Sequence, residues 1–314
     1  MGSLVAELAE KLSSATNNFD IDEGTIYVNT SADTVGIGTT SPGSKFDVQG
    51  TMQVGVNDTG HDVKFFGATA GAYLEWDESA DELELRGGAA TPGKLLLSTA
   101  ETTVVDGNKL GQIDFQAPLD SAGTDAILVG ASIYAEADAT FSASVNATEL
   151  VFATGASETA TEKVRIDSVG RVGIGTTAPD VNALLHIKTS LDSVNLLVES
   201  TEAGASISGF GINMYRNSSS PADNDNIAAL RYIGRNDNSQ DVTYGAMYGQ
   251  IIDASDGTED GALHIQTMKA GSLTTTMSAI SGQVGIGTTA PDTNLSVTDG
   301  GTDTQTLVDI SVFN

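Results

Sequence analysis

Val35-Gly36-Ile37-Gly38-Thr39-Thr40-Ser41-Pro42 recurs as Val172-Gly173-Ile174-Gly175-Thr176-Thr177-Ala178-Pro179 and as Val284-Gly285-Ile286-Gly287-Thr288-Thr289-Ala290-Pro291. Each copy is followed within a few residues by an apolar-x-apolar pair: Phe46 and Val48, Leu185 and Ile187, Leu295 and Val297. Alternate residues of an extended chain share a face, so Val and Ile point one way and the two glycines the other. Glycine inside a strand is tolerated where a neighbouring chain or a bend demands close approach. Thr-Thr-x-Pro then ends the strand, because Pro donates nothing to a ladder and biases its predecessor towards extended geometry. Each octapeptide therefore reads as a strand followed by a corner. On this reading, Gly36→Val, Gly173→Val or Gly285→Val impairs assembly of the chain with its copies.

Working outward, a series of short alternating segments precedes the second copy: Leu110–Phe115, Ala131–Tyr134, Glu149–Phe152 and Val164–Ile166. A matching series precedes the third: Leu230–Ile233, Tyr244–Ile252, Ala262–Ile265 and Met277–Ile280. Gly, Asp, Asn and Ser clusters separate them, the pattern of antiparallel β modules. Val63 to Leu97 form a further strand-rich piece, with Leu74, Trp76, Leu83 and Leu85 around the turn Asp77–Asp81. Only the start of the chain has helical spacing. Val5, Leu8, Leu12, Ala15 and Phe19 step by three and four, a heptad seam suited to a short trimerisation or attachment helix that is marginal alone.

Composition fits a chain that associates with its own copies. Hydrophobic residues make up 39% and aromatics 5% of 314 residues, with 35 glycines, a thin supply of the large side chains that offset ordering entropy. With 14 basic and 42 acidic residues the net charge is −28, which opposes binding to phosphate backbones. Nucleic acid and anionic membranes are poor partners. There is no cysteine, hence no disulfide and no thiolate metal site. No basic leader with an apolar run occurs, nor any stretch of about 18 apolar residues, so membrane insertion is not expected.

The octapeptides, the preceding Val164–Arg171 and the following short strands resemble the modules of bacteriophage tail fibres and related fibre proteins, which often carry an endosialidase-type intramolecular chaperone. The resemblance is tightest at the three octapeptides and extends loosely over residues 26 to 297. It implies a mainly β, elongated, intertwined homotrimeric fibre of short antiparallel β modules, located in the virion and made in the host cytoplasm. It also implies another virion protein at the N-terminal end. The chain then divides into an N-terminal helical segment (1–20), a first β repeat (21–60), a β-rich spacer (61–109), a second β module (110–190), a connecting segment (191–227) and a third β module (228–314). No Ser-Asp-x-Arg-x-Lys pattern of the self-cleaving chaperone occurs, so no protease residues are assigned.

Chemistry-bearing motifs are few. Gly173-x-Gly175-x-x-Ala178, with Glu199 downstream, satisfies a permissive dinucleotide pattern, but that pattern needs a helix opening after the glycines. Three copies of the same glycines fit a structural repeat better. No Gly-x-Ser-x-Gly elbow and no His-Glu-x-x-His pair occurs. His186 and His264 share a Leu-His-Ile context; in a trimer each could present three imidazoles to the axis, while the simpler reading places them on the solvated face of a strand. Asp253–Gly261 is rich in oxygen ligands but lacks calcium-loop spacing and reads as a turn. The expectation is a non-enzymatic structural component of a phage tail fibre that contributes to attachment to a host surface glycan or protein, with no catalytic residue, metal or cofactor assigned. A head fibre or capsid decoration protein and a polysaccharide-cleaving tailspike remain the alternatives.

Overall fold

A computed structural model describes residues 18–21, 25–29, 31–192, 195–199, 201 and 212–298. Those residues are built from strands, with no helix among them. The chain divides into two compact units, residues 1–195 and 196–314.

Within the first unit, β1 (Asn18–Ile21), β2 (Ile26–Asn29), β3 (Thr34–Ile37) and β4 (Phe46–Val48) form a four-stranded sheet in chain order. A three-stranded meander follows: β5 (Val63–Phe66), β6 (Tyr73–Asp77) and β7 (Glu82–Arg86). Its hairpin sets Leu74 opposite Leu85 and Trp76 opposite Leu83, as the alternation around Asp77–Asp81 requires. The unit closes with a six-stranded sheet: β8 (Lys109–Gln116), β9 (Val129–Ala137), β10 (Thr148–Thr154), β11 (Thr161–Ile166), β12 (Val172–Ile174) and β13 (Leu185–Ile187).

The second unit holds one six-stranded sheet of the same design: β14 (Asn226–Arg235), β15 (Asp241–Asp253), β16 (Asp260–Lys269), β17 (Ser272–Ile280), β18 (Gln283–Ile286) and β19 (Leu295–Val297). The two six-stranded sheets match in register. Each has a bulge in its first strand, at Leu110 and at Ile227, and each ends in the octapeptide strand and its apolar-x-apolar partner.

Two differences from expectation stand out. Phe19, the last member of the proposed helical seam, lies in β1 with Val28 as its register partner. Spacing of three and four also occurs in chains that fold as strands, and pairing with β2 decides the matter here. Val5, Leu8, Leu12 and Ala15 lie outside the described residues. The second difference is that the modules are not wholly antiparallel: β3 and β4, β12 and β13, and β18 and β19 pair in parallel. A parallel connection usually needs a dozen or more residues and a helix. Here it is made without a helix, by the octapeptide corner and the few residues after it (38–45, 175–184 and 287–294).

Candidate functional site

The corner works because the glycines leave room for it. A Cβ on Gly173 would stand 2.8 Å from the Thr176 carbonyl oxygen and 3.0 Å from Cγ of Pro179; on Gly36 or Gly285 it would collide with the carbonyl of Thr39 or Thr288. The backbone that approaches the first glycine is therefore the chain's own corner, folded back over the sheet, rather than that of a neighbouring chain. Gly38, Gly175 and Gly287 have φ of 73, 71 and 74°, a left-handed conformation that turns the chain off the strand and that glycine adopts without steric cost. The Thr39, Thr176 and Thr288 hydroxyls each accept a hydrogen bond from the backbone N–H two residues on, at 3.1, 3.2 and 3.1 Å.

A lock completes each corner. The residue after the proline donates its backbone N–H to the middle residue of the parallel strand: Gly43 to Asp47 Oδ2 (2.8 Å), Asp180 to His186 Nδ1 (3.2 Å) and Asp292 to Ser296 Oγ (3.0 Å). Carboxylate, imidazole and hydroxyl share only an acceptor atom, so the sequence offers no common residue type to find. His186 is thus a corner residue.

On the glycine-bearing face the networks are polar. Arg165 forks onto Glu162 through Nε–Oε1 (2.6 Å) and Nη2–Oε2 (2.7 Å) and also meets Glu149. One guanidinium faces two carboxylates, and burial pushes the Glu149 carboxyl up to about 7 against the pull of Arg165. Its folded pKa thus lies above the unfolded value of 4.5, so the folded state holds the proton more tightly and wild-type stability falls as pH rises from about 4.5 to 7. Glu149→Gln, which leaves the Glu162 fork intact, is expected to melt higher than wild type at pH 8 and at the same temperature at pH 4.5. Thermal denaturation at the two pH values checks this.

His264 corrects the expectation of a solvated strand histidine: it is 2% exposed. Its ring stacks on Tyr248 with centroids 4.7 Å apart, Nε2 lies 3.2 Å from Gln250 Oε1, and Nδ1 has no partner. Burial pulls its pKa below the ordinary value, so protons bind the unfolded chain better and stability is lost as pH falls below about 6.5. Val151 holds the same register position in the six-stranded sheet of the first unit and is fully buried. His264→Val is expected to gain about 1 kcal/mol at pH 7, because it removes an unsatisfied buried acceptor, and to lose the acid sensitivity. Urea unfolding at pH 5 and pH 7 reads both effects.

The opposite face carries two apolar rows in each six-stranded sheet. In the second unit the cross-strand rows are Ala228–Gly249–Leu263–Ala279–Val284–Leu295 and Leu230–Met247–Ile265–Met277–Ile286–Val297. The six-stranded sheet of the first unit repeats them as Gly111–Ala135–Leu150–Ile166–Val172–Leu185 and Ile113–Ile133–Phe152–Val164–Ile174–Ile187. Many of these side chains are exposed, Leu185 at 55% and Leu295 at 59% among them. The buried apolar residues among those described, Tyr27, Ala137, Val151, Ala153 and Ala246, include none from the four rows. Row continuity required the pairing register and was not visible in the sequence alone.

The glycines of Gly173-x-Gly175 open onto the corner and β13, without the helix N-terminus a pyrophosphate would need. Asp253–Gly261 joins β15 to β16, with Asp253 Oδ1 accepting the Ser255 N–H at 2.8 Å.

No family model matches the chain, and no curated protein matches it. Among solved structures it is similar to the carboxy-terminal domain of the bacteriophage T5 L-shaped tail fibre, at 12% identity and a TM-score of 0.51, over 73% of this chain and 98% of that one. It is equally similar to the same domain with its intra-molecular chaperone domain, at 12% identity and a TM-score of 0.51, over 73% of this chain and 67% of that one. The likeness identifies the architecture as a tail-fibre-type all-β fold.

Proposed function

We propose that this chain is a structural component of a phage tail fibre, in which three copies pack their apolar sheet faces around a common axis. The observation that carries this reading is the pair of wholly apolar rows left uncovered on one face of each six-stranded sheet. Exposed contiguous apolar surface of this kind marks an interaction site. Copies of the same chain satisfy it best, because equivalent rows recur at the same register, and three is the number that the resemblance to tail fibres implies. The polar glycine-bearing face and the net charge of −28 then turn outward and keep the assembly soluble. The role is mechanical and adhesive, with one end held by another virion protein and the outer surface available to a host.

Light scattering combined with sedimentation tests this reading. A mass three times the 32.2 kDa of one chain, with a frictional ratio well above that of a compact particle, supports the fibre. A compact monomer overturns it.

A further inference from the structure

The polar faces of the two six-stranded sheets share one frame but differ at one place. In the first unit Asp114 lies opposite Ser132, and Ser132 opposite Ala153. The corresponding row in the second unit is Arg231, Ala246 and Gln266. Tyr134 and Tyr248 stand at equivalent positions beside these rows.

In the first unit the place is filled by its own residues. Ser132 Oγ donates to Asp114 Oδ1 at 2.7 Å, Gln112 donates to the same oxygen, and Lys109 Nζ lies 3.9 Å from the Tyr134 ring centroid. Asp114 there is engaged by both Ser132 and Gln112. In the second unit alanine replaces the serine; Ala246 is itself buried under its neighbours, and a groove of about 520 Å³ lies beside it, lined by Asn226, Ala229, Arg231, Ala246, Tyr248 and Gln266 among others. That volume lies within the range of small-molecule sites.

Arg231 is the one arginine among the described residues without a hydrogen bond or ion pair. In a chain with 42 acidic and 14 basic residues, a guanidinium that lines a groove and faces no carboxylate among the described residues of its own chain is suited to an anion. Arginine matches a carboxylate with two parallel N–H···O bonds. Beside it, Tyr248, stacked on His264 by one face, offers an apolar ring with a polar tip, and the Asn226 amide and the Gln266 amide, whose Nε2 also donates to Thr275 Oγ1 at 3.4 Å, supply donors and acceptors suited to hydroxyl groups.

We propose that this groove on the second unit binds a carboxylate-bearing sugar, with Arg231 holding the carboxylate, the Tyr248 ring lying along the pyranose and the two amides meeting its hydroxyls. The proposal rests on the fibre reading only for the outward direction of this face, since every lining residue belongs to one chain.

The test titrates the full chain with D-glucuronate, D-glucose and inorganic phosphate, followed by saturation-transfer NMR, with the mass measured on the same samples. Glucuronate is expected to bind saturably, and glucose about tenfold more weakly or less. Arg231→Gln is expected to cost at least about tenfold, and the pair Arg231→Asp with Ala246→Ser, which imports the self-filled arrangement of the first unit, to abolish binding. Absence of saturable glucuronate binding, binding unchanged by Arg231→Gln, or phosphate displacing glucuronate with equal affinity would each overturn the assignment. Glucuronate binding by a chain that measures as a monomer would overturn the fibre reading and leave the site standing.

Discussion

Gly175→Val abolishes cooperative folding of the second repeat sheet, whereas Gly170→Ala lowers stability by only about 1 kcal/mol. Both glycines have positive φ, 71° and 86°, so both substitutions meet the left-handed penalty of roughly 1–2 kcal/mol for an L-residue. They differ in what the new side chain touches. A Cβ at Gly170 meets nothing within 4 Å, while one at Gly175 runs into the backbone carbonyl of Lys188. Lys188 also donates its N–H to the Ile174 carbonyl at 2.9 Å, so relieving the collision pulls β13 away from β12. Losing that pairing together with the backbone strain places the change in the rare class above about 4 kcal/mol. Urea unfolding of the full-length variants gives the comparison, and equal midpoints for the two would sink the account. Gly173→Val acts through the same corner, against Thr176 and Pro179. Its assembly defect is therefore expected to follow from a misfolded module rather than from a blocked contact between chains.

A second large effect is expected at the apolar face. Phe152 is 38% exposed in the single chain, so Phe152→Lys hardly changes the chain alone. In the proposed trimer each ammonium would lie among apolar rows without a counter-ion, a situation that costs about 3–5 kcal/mol per uncompensated charge. The mass in light scattering should fall to that of one chain. Ala143→Lys, which adds the same charge in the exposed loop between β9 and β10, should leave the mass unchanged. A trimer that survives Phe152→Lys would place the interface elsewhere.

Much of the fold could be read in advance because the local signals agree with it. The octapeptide strand, its corner, the two strand series and the Leu74–Leu85 hairpin all depend on residues near one another in sequence. What stayed hidden depends on register. An apolar-x-apolar pair such as Leu185 and Ile187 looks the same whether it pairs in parallel or antiparallel, and the corner carbonyl over Gly173 decides between them. His186 and His264 share one sequence context, yet the first accepts a corner N–H while the second is buried beside Tyr248. Arg231 draws notice only when Ala246 is known to lie opposite it. Phe19 failed for a related reason: spacing of three and four permits a helix without excluding a strand.

Every ladder in these sheets joins strands that are consecutive along the chain, and this bears on how the particle is made. Contacts between sequence neighbours close quickly, so each sheet is complete soon after its last strand leaves the ribosome. In the proposed trimer the apolar rows then wait for two other chains. Folding is first order and fast, whereas assembly depends on encounter and on how many chains are being synthesised together. Fibre yield should consequently rise more steeply than expression level, and dilute synthesis should accumulate folded, sticky monomers that aggregate before they meet in threes.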